Sequence, residues 1–173
     1  MKNKLWVGAL GIVLLVAGLG IYWRYREVNR APQQLGVTRE VFFKAGDWVQ
    51  AKNVKFKVEQ ANLRTDQDKV RVTIRLSLHQ NDQTAYGQIR GHRNFLENMW
   101  CVFPYRFSTA TEHVFDKNKQ RIHGLENLLH SPQPYTLKFV GSQDDFAGRD
   151  RQARFSFLVP EKHSYTKYSL LLE

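Results

Sequence analysis

From Val41 onward the dominant spacing of apolar residues is two. The clearest run is Val70, Val72, Ile74, Leu76 and Leu78, alternating with Arg71, Thr73, Arg75 and Ser77. Such alternation sends one set of side chains into a core and the other into water, so it predicts a half-buried strand. Val54, Phe56 and Val58 alternate with Lys55, Lys57 and Glu59 in the same way. Tyr135, Leu137 and Phe139 alternate with Thr136, Lys138 and Val140. Phe155, Phe157 and Val159 alternate with Arg154, Ser156 and Leu158 until Pro160 ends the run, and Tyr168, Leu170 and Leu172 predict a last strand. Residues 97–107 and 112–116 also read as strands, with Pro104 placing the former at an edge or a bulge. Helical spacing shows only in Leu125, Leu128 and Leu129, which predict one short turn of helix before Ser131-Pro132. Seven to nine strands with half-wet faces predict an all-β domain, a β-sandwich or small barrel.

The start of the chain follows another rule. Residues 5–23 carry no charge over nineteen positions. As a helix they span roughly 28 Å, close to the hydrocarbon thickness of a bilayer. Trp6 stands near one end and Tyr22, Trp23 and Tyr25 at the other, where amphipathic rings suit the headgroup layer, with Arg24 and Arg26 beside them. A cleaved signal peptide competes with an uncleaved anchor, since Lys2 and Lys4 precede the apolar run. Bulky Ile21, Tyr22 and Trp23 occupy the place where small residues should precede a cleavage site, which favours the anchor. A lipoprotein signal would need a cysteine just after the run, and the only cysteine is Cys101. Basic residues flank both ends, so the positive-inside count is close to a tie. The short basic leader and the near-absence of cysteine favour a C-terminal domain outside the cytoplasm. The expected organisation is a short cytoplasmic tail (1–4), a single-pass transmembrane helix (5–23), a juxtamembrane linker (24–40) and an extracytoplasmic β-domain (41–173).

Composition narrows the class. The chain has 173 residues, 13% of them aromatic, which is too rich for a disordered chain. Its mean hydropathy of −0.50 excludes a polytopic membrane protein. One cysteine excludes an internal disulfide framework and a Cys-only zinc site. Net charge is +10, and residues 31–173 retain 21 basic against 15 acidic residues, or +6. Lys55 and Lys57 on one strand, with Arg71 and Arg75 on another, offer a wet basic face suited to a polyanion. Arg90, Arg93 and Arg106, with Tyr86 and Trp100, would extend it. A charged strand face is also simply what a solvated sheet presents. No stacked-aromatic signature favours nucleic acid.

No catalytic motif survives inspection. Cys101 shares a face with Met99, Phe103, Tyr105 and Phe107, the setting of a core thiol rather than of a nucleophile, and it lacks the residues that precede a sortase cysteine. The six histidines (79, 92, 113, 123, 130 and 163) show no three- or four-residue helical spacing and no HExxH, so no metal is expected. Asp144, Asp145 and Asp150 lack calcium-loop spacing and read as a solvated hairpin loop. There is no Gly-x-Ser-x-Gly, no Ser-x-x-Lys set and no phosphate-cradling glycine loop. No cofactor is expected.

Gly46-Asp47-Trp48-Val49 followed by Asn53-Val54-Lys55-Phe56-Lys57-Val58 resembles the opening of a group of small Gram-positive membrane-anchored or lipoprotein-like surface proteins of unknown function. Lys69 to Gln80, Arg154 to Pro160 and Tyr168 to Leu172 are similar to that group's later strands, while 82–134 departs as an insertion. The resemblance implies an immunoglobulin-like (telokin-like) sandwich on the outer membrane face, and it transfers no site residue. The function expected is a non-enzymatic, membrane-anchored interaction module that contacts an envelope protein or an anionic wall polymer. The alternatives are an accessory subunit of a secretion or DNA-uptake complex, and an envelope enzyme whose site is assembled from His92, His113 and Cys101.

Overall fold

A computed structural model describes residues 15–26, 36–81, 86, 92–103, 107–148, 152–162 and 164–172. Residues 1–35 and Gly36–Glu173 form separate compact units. In the first, residues 15–26 are helical (α1) and every one of them is exposed. Among the described residues no helix is long and apolar enough to cross a membrane. Residues 5–14 of the expected span, Trp6 included, lie outside the described residues. The helix runs past Trp23 to residue 26, and the first strand begins at Val37, inside the segment read as linker.

The second unit is a β-sandwich of two five-stranded sheets. Its strands are β1 (Val37–Phe42), β2 (Val49–Ala51), β3 (Val54–Thr65), β4 (Lys69–Gln80), β5 (Met99–Phe103), β6 (Phe107–Ala110), β7 (His113–Phe115), β8 (Tyr135–Ser142), β9 (Ala153–Pro160) and β10 (Tyr165–Leu172). One sheet has the order β1-β10-β9-β5-β6 and the other β2-β3-β4-β8-β7. All pairs are antiparallel except β1 with β10. The ten strands of the described residues exceed the seven to nine predicted because β1 and β2 carry almost no buried residue and so leave no periodic trace. The run 97–107 divides into a 3-10 turn (Phe95–Asn98), β5 and β6, with residues 104–106 outside the described residues.

Burial alternates along β4 as the sequence predicts, with Val70, Val72, Ile74, Leu76 and Leu78 inside. At the centre Phe56 touches Phe43, Phe157 and Tyr168, with ring centroids 5.4, 5.1 and 5.5 Å away in edge-on geometry. In β3 a bulge at Val58/Gln60 shifts the alternation by one residue. Lys55 and Lys57 before it, and Asn62 and Arg64 after it, therefore share the outer face. Past the end of the β4–β8 ladder, the Gln133 side chain acts as a substitute strand. It accepts from Leu78 N–H at 2.7 Å and donates to Leu78 C=O at 2.6 Å.

The predicted helical turn is α2 (Leu125–His130), held by Leu128 in the core and by the Tyr135 hydroxyl donating to Leu128 C=O at 2.8 Å. The acidic stretch expected as a hairpin loop contains a five-residue helix instead, α3 (Gln143–Ala147). Phe146 explains it, since one turn of helix turns that ring into the core against Phe103.

Candidate functional site

The side chains proposed to meet a membrane interface, Tyr22, Trp23, Arg24, Tyr25 and Arg26, all lie on exposed α1, with Trp23 77% exposed. Leu15, Val16, Leu19 and Ile21 are exposed on the same helix.

In the folded domain the outer face of the β2-β3-β4-β8-β7 sheet gathers cations. Strand pairing sets them in rungs across β3, β4 and β8: Lys55 faces His79, Lys57 faces Ser77, and Gln60, Arg75 and Thr136 align. Asn62, Thr73 and Lys138 follow, then Arg64, Arg71 and Val140. Trp48, 43% exposed, stacks on His79 with centroids 5.5 Å apart and 23° between rings. The ammonium groups of Lys55 and Lys57 lie 4.9 and 5.2 Å from the same indole centroid. Lys138 sits 4.4 Å over the Phe115 ring. Each such contact supplies about 0.5–1 kcal/mol at an exposed site and fixes the direction of a flexible cation.

Charge compensation on this face is thin. Arg71 approaches Asp66 at 3.9 Å and Arg75 approaches Glu59 at 3.8 Å, both at the outer limit of an ion pair. The other oxygen of Glu59, Oε1, accepts from the Ser77 hydroxyl at 2.8 Å. Among the described residues Lys55, Lys57, Arg64 and Lys138 have no carboxylate within 4 Å. Lys55, Lys57, Arg71 and Arg75, singled out from the sequence, are thus brought onto one surface. Arg64 and Lys138 join them through pairing between strands, and Trp48 through its stack on His79. Of the suggested extension, Tyr86 is wholly buried against Phe157, where desolvation pushes its phenol well above the usual range. Trp100 lies on the other sheet, while Arg90 and Arg106 fall outside the described residues. That extension does not form around Tyr86 and Trp100.

The outer face of the other sheet is self-compensated. Glu40 Oε1 accepts from the buried Ser169 hydroxyl at 2.6 Å and meets Arg154 and Lys167 at 3.0 and 3.1 Å. Phe42 beside them is 56% exposed and Leu171 46%.

The three residues of the enzymatic alternative are dispersed. Cys101 is completely buried on the inner face of β5, and burial pushes its thiol up to about 12. A thiol so held is scarcely ionised near neutrality and is a poor nucleophile. His113 stands on the outer sheet face beside Phe115, and His92 pairs with Glu97 at 2.8 Å before β5. Among the described residues no three His, Cys, Asp or Glu side chains converge as metal ligands.

No protein-family model matches the chain, and no curated protein matches it in sequence. Among solved structures it is similar to an uncharacterized β-sandwich protein from Clostridium difficile, with a TM-score of 0.47 and 9% identity. The match covers 80% of this chain and 96% of that one.

Proposed function

We propose that this protein is a non-enzymatic interaction module, held at the outer face of a cell membrane by its N-terminal segment, that binds an anionic envelope polymer through the β3-β4-β8 face. The observation that carries this reading is the row of cations from Lys55 to Arg64 with so few carboxylates to meet them. A surface of one sign concentrates a polyanion and releases its counterions on contact. The contrast with the internally paired Glu40–Arg154–Lys167 cluster singles out this face.

The anchor is supported by the uncharged run 5–23 and by an α1 whose apolar side chains are exposed on every side, a surface that suits lipid better than water. The strand order supports an immunoglobulin-like sandwich: β3-β4-β8-β7 reads as A-B-E-D, and β10-β9-β5 as G-F-C. Phe42 and Leu171 favour a second reading, an envelope protein docked on the opposite sheet.

The test is capture of polyphosphate by the full chain in neutral detergent, across a salt series. Affinity is expected to fall steeply with salt and to collapse in Lys55→Gln/Lys57→Gln/Arg75→Gln. Binding indifferent to salt, or unchanged in that variant, would sink the proposal. Retention in the membrane fraction after an alkaline wash, with the N-terminal segment intact, tests the anchor. Release into the wash counts against it.

A further inference from the structure

Resting on the polyanion reading, we infer that the end of this face distal to Trp48 is a built pocket for one phosphate group bearing neighbouring hydroxyls, as in a sugar- or polyol-phosphate. A depression of about 370 Å³ opens there, lined by Asn62, Arg64, Arg71, Thr73, Glu112 and Lys138 among others. The side chains come from two consecutive rungs, Arg64–Arg71 and Asn62–Thr73–Lys138.

Two features point to an anion. The first is the direct opposition of Arg64 and Arg71 across the β3–β4 ladder, where like charges repel. Asp66, in the hairpin turn, reaches only Arg71, at 3.9 Å, and leaves Arg64 unmatched among the described residues. An oxyanion between the two guanidinium planes removes the repulsion and takes charge-assisted hydrogen bonds from both. The second is the donor set. The Asn62 amide, the Thr73 hydroxyl and the Lys138 ammonium stand on the next rung, so donors to several phosphate oxygens share one depression.

Glu112 is the exception and tells against a bare anion. Its backbone N–H donates to Lys138 C=O at 2.8 Å, which fixes it at the rim. A carboxylate there repels a naked phosphate but accepts a hydroxyl from the carbon skeleton attached to one. The pocket therefore selects a phosphate ester with a free hydroxyl over inorganic phosphate.

The experiment titrates the full chain, in neutral detergent and with ¹⁵N-labelled arginine, with inorganic phosphate and separately with glycerol phosphate. The side-chain Nε–Hε signals of Arg64 and Arg71 are expected to shift saturably, those of other arginines far less. Arg64→Ala is expected to weaken the response of Arg71 by about tenfold, the loss of one charge-assisted contact. Glu112→Gln is expected to tighten inorganic phosphate and to loosen glycerol phosphate relative to it. A shift that grows linearly without saturating, or that is the same in Arg64→Ala as in the parent, overturns the pocket. A melting temperature raised by glycerol phosphate as much in Arg64→Ala/Arg71→Ala as in the parent also overturns it, while polyphosphate capture retained in that variant leaves the wider basic face standing. Saturable glycerol phosphate binding without any polyphosphate capture overturns the polymer reading instead.

Discussion

Trp48 lies parallel to His79, 5.5 Å away, with the ammonium groups of Lys55 and Lys57 both within 5.2 Å of its ring. The indole precedes β2 and the imidazole belongs to β4, so the stack spans the outer surface of β3 and organises the two lysines that project from it. Removing the ring leaves the charges in place but sets them free to wander. Trp48→Ala is therefore expected to weaken polyphosphate binding several-fold while leaving its salt dependence nearly unchanged. Lys55→Ala is expected to lower the salt slope by about one counterion. Equilibrium binding at several salt concentrations separates the two effects.

Cys101 offers a test of the core. Its thiol is buried and pushed up to about 12 by desolvation. The folded protein is expected to resist iodoacetamide near neutral pH, and to react once unfolded in guanidinium. Cys101→Ser is expected to cost about 1–3 kcal/mol by burying a hydroxyl without a partner, read from the shift of the denaturation midpoint.

The sandwich was legible where one face of a strand is wet and the other dry. β4 shows that alternation over its whole length, and β8 and β9 show it over most of theirs. β3 was half legible, because the bulge at Val58/Gln60 shifts the parity and hides Ala61 and Leu63 from a strict period of two. The same bulge explains why Lys55 and Lys57 were picked out while Arg64, nine residues beyond Lys55, was not. Lys138 joins the face from a strand some sixty residues downstream of β4, and no local pattern carries that adjacency. Tyr86 was misplaced for the opposite reason. Its charged neighbours made it look like surface, yet its ring packs on Phe157. The helix α3 and the 3-10 turn at Phe95–Asn98 stand where a loop and a strand were expected, since a helix held by Phe146 alone, like a single turn, has no periodicity to reveal it.

Glu40 ties β1 to its neighbours. The Ser169 hydroxyl, and after it Lys167 and Arg154, hold its carboxyl below the usual carboxylate range, with burial opposing them. Because the folded value is depressed, the interaction stabilises the protein fully above the unfolded value of about 4.3. That stability is lost as pH falls through the folded value. Glu40→Gln is expected to cost about 1 kcal/mol near neutral pH. The difference from the parent should shrink toward zero in strongly acidic buffer, measured by urea denaturation at a series of pH values.

Gly141 in β8 lies beneath the Phe103 ring, and a Cβ placed there collides with Phe103 Cε2 and comes within 2.7 Å of Cδ2. The ring belongs to β5 of one sheet and the glycine to β8 of the other, so this contact sets how closely the layers approach. Gly141→Ala is expected to destabilise by about 1–3 kcal/mol through overpacking. Much of that loss should be recovered by adding Phe103→Leu, a smaller side chain over the same spot. A thermal-melt double-mutant cycle checks the coupling.

The Arg64–Arg71 pair yields a prediction that opposes stability to binding. Two guanidinium groups directly opposite on adjacent strands raise the energy of the unliganded fold, and directly opposed pairs act over a range of about 0.2–1 kcal/mol. Arg64→Thr removes the repulsion and puts a strand-forming residue on the wet face, so the variant is expected to be more stable than the parent in phosphate-free buffer. Adding glycerol phosphate should raise the melting temperature of the parent and scarcely move that of the variant, because a ligand that binds only the folded state raises the melt of a protein that retains its site. Raising sodium chloride alone screens the same repulsion and narrows the gap between the two proteins without stabilising a bound state. Lys55→Ala, which removes a cation outside the pocket, is the control. It should keep the full response to glycerol phosphate that Arg64→Thr loses.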